Sequence, residues 1–103
     1  EYPMEDVYFP SVVQAVPGED KTVYAYFSDG SVRLYDMKPL IAQGNIFERL
    51  EDDAFFRDRL TVLNETIAWD LSGNFDPTNC IDIDPFTVYE DSKVVSDPLE
   101  EVI

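Results

Sequence analysis

The sequence predicts a single α+β domain, an antiparallel sheet built from β-hairpins with about five strands and two or three short helices. Three observations predict this class. The 103-residue chain has the length of one domain. Its composition, 45% hydrophobic and 14% aromatic, suffices for one core. Two turn sequences each join a pair of segments with alternating apolar residues. We place the core at residues 10–91 and expect residues 92–103 to form an acidic, partly mobile tail.

A β-hairpin organises the N-terminal half. Residues 1–10 read as an irregular lead-in and residues 12–16 as a first strand, ended by the turn residues 17–20. Residues 22–27 and 32–36 then flank a Ser-Asp-Gly-Ser loop, whose central Asp-Gly favours a type I′ turn. The resulting register pairs position 27 with 32 and position 24 with 35. One face then carries Val23, Ala25, Phe27, Val32 and Leu34, and the other carries Tyr24, Tyr26, Arg33 and Tyr35.

Two short helices and a second hairpin follow. Proline at position 39 and Gly44 bracket a one-turn helix over residues 39–43. Acidic residues before position 54 and arginines near position 59 suit the dipole of a helix over residues 52–59. Residues 60–63 and 66–69 flank Asn64-Glu65 as a second hairpin. Its apolar face carries Leu60, Val62, Ile67 and Trp69, and we expect Trp69 in the core or at its edge.

The remaining segments are a loop, a strand and a helix. Residues 71–80 are polar and rich in turn formers. Residues 81–84 alternate Ile and Asp, which is typical of a short strand. Asp84 and Pro85 read as the N-cap and first residue of a helix that runs to Tyr89.

The chain is strongly acidic, with a formal net charge of −15 at pH 7. Residues 60–103 carry ten acidic side chains and one basic side chain, Lys93. Such a field repels nucleic-acid phosphates and anionic lipids, and it attracts basic proteins or cations. The charge therefore disfavours nucleic-acid and membrane partners. Solubility alone is the other explanation of the charge.

The histidine and cysteine counts exclude several kinds of site. Cys80 is the only cysteine and histidine is absent, so the chain holds no internal disulfide and no Cys/His zinc site. A single thiol fits the reducing cytoplasm, where we expect the protein. No apolar run approaches the ~20 residues that cross a bilayer, and we see no signal peptide. The start at Glu1 suggests a trimmed N-terminus.

Aromatic and arginine residues mark the best candidate for a binding surface, because these types are enriched at interface hot spots. We expect no catalytic residue and no cofactor, since neither histidine nor an activated nucleophile accompanies the carboxylates. The predicted partner-binding residues are Tyr24, Tyr26, Arg33, Tyr35, Trp69, Asp70 and Asp82.

The alternative is a divalent-metal site formed by Asp70, Asp76, Asp82 and Asp84. Polar residues at positions 70, 72, 74 and 76 have the spacing of the first ligands in a calcium loop. The loop departs from that pattern, however, with glycine at position 73 and Ile81 at the place of the bidentate glutamate.

The ordered set of segments resembles a family of small bacterial proteins, the domain of unknown function 2442 family. The matching segments are residues 26–33, 35–40, 47–50, 66–70 and 81–85, with Tyr89. The chain departs from many members by a longer insert at residues 71–80. The resemblance implies an antiparallel sheet of hairpins with short helices. Some members look fused to helix-turn-helix domains or paired with toxin-like partners, and this implies regulatory or antitoxin-type binding; no helix-turn-helix segment is recognisable here.

Together these observations predict a non-catalytic interaction module, antitoxin-like or an adaptor, that binds a basic protein partner. Self-association through a sheet edge or through the tyrosine face is a related expectation.

Overall fold

The structure is a computed structural model that describes residues 9–99, and it confirms an α+β domain with antiparallel sheets. Most of the predicted lead-in and the last four residues of the predicted tail lie outside this range. The strands in chain order are β1 (Val12–Pro17), β2 (Thr22–Phe27), β3 (Val32–Asp36), β4 (Leu60–Leu63), β5 (Thr66–Asp70), β6 (Cys80–Asp82) and β7 (Lys93–Val95). The helices are α1 (Lys38–Gln43), a 3-10 helix (Asn45–Glu51), α2 (Asp53–Asp58) and α3 (Pro85–Asp91).

The strands within residues 9–99 form two sheets, whereas the sequence analysis expected one. The first sheet has the order β1-β2-β3-β7, and the second has the order β4-β5-β6. The sheets meet at β1, where the Val12 amide donates to the Glu65 carbonyl at 2.9 Å. The core lies between them and is closed by the helices. Its largest fully buried side chains are Trp69, Phe56, Met37, Leu50, Ile67, Ile81, Val23 and Val88.

The register predicted for the first hairpin is wrong by one residue. Tyr26 pairs with Val32, and Val23 pairs with Tyr35. The loop has three residues: the Gly30 amide donates to the Phe27 carbonyl, and of the loop's residues Gly30 alone has a positive φ, 92°. This is a type I turn followed by a bulge. The Asp-Gly sequence is as compatible with this loop as with a type I′ turn.

The shifted register exchanges the faces of β3, because side chains alternate along a strand. Tyr35 and Arg33 lie on the core side with Val23, Ala25 and Phe27. Val32 and Leu34 instead share the outer side with Tyr24 and Tyr26. The predicted face of three tyrosines and one arginine therefore does not exist as one surface.

The second hairpin has the predicted pairing, with Leu60 opposite Trp69 and Val62 opposite Ile67. Its turn residues Asn64 and Glu65 both have the positive φ that a type I′ turn requires, 56° and 62°. Asparagine tolerates this region, but a residue such as glutamate is strained there because its Cβ approaches the carbonyl oxygen.

That strain predicts a stabilising substitution. We expect Glu65→Gly to raise the free energy of unfolding by about 0.5–1 kcal/mol, because glycine adopts a positive φ without a steric cost. Urea unfolding monitored by circular dichroism measures the change. The matched control is Glu65→Ala, which removes the same charge and keeps a Cβ; an equal gain for alanine would assign the effect to charge.

The predicted helices are confirmed, and their caps position the chain as expected. The Asp52 carboxylate accepts from the amides of Ala54 and Phe55 at the start of α2. The Asp84 carboxylate accepts from the Phe86 amide at the start of α3. Gly44 ends α1 with a φ of 82°.

Sequence reasoning missed the 3-10 helix and β7. Both are short and lack the periodicity that marks longer elements. β7 forms because Val95 and Val94 pair with Val32 and Arg33 along the edge of β3. Residues 93–95 of the expected tail are therefore part of the first sheet.

Candidate binding surfaces

Three of the residues predicted to bind a partner are buried. Tyr35 is 6% exposed, Trp69 0% and Asp70 3%. The indole Nε1 of Trp69 donates to the Phe56 carbonyl at 2.9 Å, so its polar atom is also satisfied inside the core. Tyr35 is buried because of the register shift, and burial raises the pKa of its hydroxyl. These side chains stabilise the domain and do not form a surface.

Tyr24 and Tyr26 lie half-buried on the outer side of the first sheet. The Tyr26 hydroxyl donates to the Asp97 carboxylate at 2.6 Å, which joins this face to the segment after β7. At the other end of the face, Tyr24 and Leu34 line an open groove of about 450 Å³. The outer face therefore keeps two of the predicted residues, with aliphatic neighbours in place of Arg33 and Tyr35.

Arg33 joins the first hairpin to α3. Its guanidinium lies 3.7 Å from the centre of the Tyr89 ring, and its Nη1 donates to the Tyr89 carbonyl at 3.1 Å. The Tyr89 hydroxyl in turn donates to the Asp29 carboxylate at 2.8 Å, and this bond raises the pKa of Tyr89. Burial acts to raise the pKa of Asp29, but hydrogen bonds from Ser31 and Tyr89 and the Arg33 charge lower it on balance. The contacts of Arg33 are therefore with other residues of the domain.

Asp70 organises the loop that connects β5 to β6. Its carboxylate accepts from the amides of Ser72 and Gly73 at 3.2 Å and of Phe75 at 3.3 Å. The alternating polar residues thus fix a turn, and the backbone of Phe75 is held at a φ of 60°. Among residues 9–99, no three His, Cys, Asp or Glu side chains converge as ligands of one metal ion.

Asp82 and Asp84 lie at the mouth of an open groove of about 490 Å³ between the second hairpin and α3. Asn64 Nδ2 donates to Asp82 Oδ2 at 3.0 Å. The apolar part of the lining includes Ile83, Pro85 and Phe86. Both carboxylates are exposed, so Asp82 is the predicted residue most accessible to a partner on this side.

Phe86 is 46% exposed, and sequence reasoning missed it. The sequence contains a pattern that predicts its exposure. Val88 is the apolar residue of α3 that suits the core, and residues two apart on a helix point in different directions. Val88 is indeed fully buried. Placing Val88 in the core would have assigned Phe86 to the surface.

Cys80 is partly buried beside the same loop, with its Sγ 3.7 Å from the Pro77 carbonyl. Burial raises the pKa of the thiol, and the charges of Asp82, Asp70 and Asp76 raise it further. A nucleophilic cysteine needs the opposite shift, because the thiolate is the reactive form.

The basic side chains of the domain are mostly engaged internally. Three salt bridges occur among residues 9–99, and they involve Lys21 and Lys38. Arg57 donates to the Gly18 carbonyl and Arg59 to the Asp70 carbonyl. Between residues 59 and 93 the sequence has no lysine or arginine, so the charged side chains that this stretch contributes are all acidic.

Fold and surface together define a small two-sheet α+β domain with an anionic exterior. No helix of the described part of the chain is long and apolar enough to cross a membrane. The chain belongs to the protein family of unknown function DUF2442, whose profile matches residues 12–94. The comparisons with curated proteins and with solved structures gave no significant match.

Proposed function

We propose that this chain is a non-catalytic interaction module, antitoxin-like or an adaptor, that binds a basic protein partner. The observation that carries the proposal is the long stretch of the chain between residues 59 and 93 that contains acidic side chains and no basic one. Exposed carboxylates there include Glu65, Asp82, Asp84, Glu90 and Asp91.

Electrostatics favours a partner of opposite charge over a second copy of the chain. Two copies would each carry −15, and such like charges repel as they approach. The chain's own cations cannot offset this repulsion, because the net charge already counts its seven basic residues against 22 acidic ones. A basic protein would supply the missing positive charge and would associate faster through electrostatic steering.

The chemistry of the side chains supports a binding role. Histidine is absent from the chain, and the one thiol has a raised pKa. Tyr24 and Leu34 beside the groove on the outer face are of the kind that contributes apolar contact area in interfaces.

The test is affinity capture from the source organism, followed by purification of the captured protein and measurement of its Kd against salt. We expect a basic protein whose affinity falls roughly tenfold or more between 50 and 500 mM salt. An acidic partner, or an affinity that salt does not change, would contradict the proposal.

Two matched variants test which part of the acidic surface contacts the partner. Each replaces four exposed carboxylates by the corresponding amides, so each changes the net charge equally. The first variant should weaken binding of the captured protein more than the second. The first set is Glu65, Asp82, Glu90 and Asp91, and the second is Glu19, Glu48, Glu51 and Asp58.

A further inference from the structure

The groove between the second hairpin and α3 combines an aromatic surface with two fixed carboxylates. Phe86 packs edge-on against Phe9, with ring centres 6.4 Å apart, and both rings are largely exposed, at 46% and 65%. Contiguous exposed apolar surface of this kind is a common feature of interaction sites. Of the two rings, Phe86 lines the groove beside Asp82 and Asp84, and the Phe9 ring stands edge-on to it.

The two carboxylates are held in place by the domain's own hydrogen bonds. Asp82 is held through Oδ2 by the Asn64 amide, and Asp84 is held through Oδ1 by the Phe86 amide. Because the two carboxylates are already ordered, they lose less conformational entropy when a ligand binds. None of the described residues that line the groove is basic, so their charge is not neutralised inside the groove.

An arginine side chain matches this combination. Its aliphatic stem and planar guanidinium stack on aromatic rings, and the guanidinium donates two hydrogen bonds to a carboxylate. Lysine carries the same charge but lacks the planar fork, and an acidic or neutral side chain would leave the carboxylates uncompensated.

We propose that the groove of Ile83, Pro85 and Phe86 binds an arginine side chain of the basic partner, with the guanidinium between Asp82 and Asp84. This inference rests on the proposed function and assigns it a contact surface. A second copy of the chain is a poor occupant, because its net charge would bring two anionic surfaces together.

The probe is an eight-residue peptide of alternating arginine and threonine, titrated into the ¹⁵N-labelled chain at 50 mM salt. We expect saturable shifts of the backbone amides of Asn64, Asp82 and Phe86. The lysine counterpart of the peptide should bind more weakly. Shifts confined to another surface, equal binding of the lysine peptide, or no binding would each overturn the inference.

Variants separate this groove from the general anionic field. Asp82→Asn combined with Asp84→Asn should weaken binding at least about fivefold, since two exposed ion pairs are lost while asparagine keeps the helix cap. Phe86→Ala should weaken it about three- to fivefold. The control, Glu48→Gln with Glu51→Gln, removes the same charge from the 3-10 helix and should change binding less than about twofold. An equal loss in the control would overturn the inference.

The two proposals fail in different ways. If the captured partner is basic, but it and the peptide shift only amides outside the groove, the groove is excluded and the proposed function stands. If capture returns an acidic partner, or one whose affinity does not depend on salt, the proposed function fails, and the inference about the groove fails with it.

Discussion

Replacing Trp69 by alanine is expected to lower the free energy of unfolding by about 3–5 kcal/mol, the largest single effect that the structure predicts. The side chain is fully buried, its ring lies 5.3 Å from that of Phe56, and its Nε1 bonds the Phe56 carbonyl. Truncation would therefore leave a cavity where β5 meets α2, with an unpaired carbonyl. Because domains of this size are stable by only about 5–15 kcal/mol, the variant would be partly unfolded near physiological temperature.

The measurement is urea unfolding followed by circular dichroism, since Trp69 is the only tryptophan and its fluorescence is lost in the variant. Trp69→Phe keeps most of the ring volume but removes the donor, so we expect an intermediate loss of about 1–3 kcal/mol. Phe75→Ala is the surface control, because this aromatic is 59% exposed and its loss should stay within about 0.5 kcal/mol. A loss below about 1 kcal/mol for Trp69→Ala would contradict the central place of this residue in the core.

Replacing Asp70 by alanine is expected to cost about 2–3 kcal/mol, because three loop amides would lose a charged acceptor. The carboxylate is 3% exposed and is the common partner of the amides of Ser72, Gly73 and Phe75. Those amides should also exchange with solvent faster, since the loop would no longer hold Phe75 at its positive φ.

Two controls separate the hydrogen bonds from the charge. Asp58→Ala removes an exposed carboxylate and should change stability by no more than about 0.5 kcal/mol. Asp70→Asn keeps one oxygen acceptor, so its cost should fall between those of the other two variants. If Asp70→Ala unfolds no more easily than Asp58→Ala, the carboxylate does not organise the loop.

The buried position of Asp70 shows that not every acidic residue of this chain contributes to an outer anionic surface. Some of the aspartates predicted as ligands are structural: Asp70 fixes a loop and Asp84 caps a helix. Most carboxylates exposed along the rest of the surface remain available for a partner, because 22 acidic residues outnumber seven basic ones. Burial therefore separates Asp70, which only stabilises the domain, from exposed carboxylates such as Asp84, which caps α3 and also faces outward.

Much of the fold could be predicted from the sequence because its signals are local. Pro39 and Gly44 bracket α1, Asp52 and Asp84 cap helices, and the alternation around Asn64 sets the register of the second hairpin. In each case a few neighbouring residues specify one conformation. The predicted burial of the face that carries Trp69 followed from that register.

The sequence alone therefore determined the α+β class, the strands of both hairpins, the helix caps and the anionic character of the chain. Tertiary structure decided the register at Asp29-Gly30, because that dipeptide satisfies two turn types and the packing of Tyr35 and Arg33 selects between them. It also decided the pairing of β7 with the edge of β3. Those features depend on contacts between residues far apart in the chain, for which local propensity provides no energy difference.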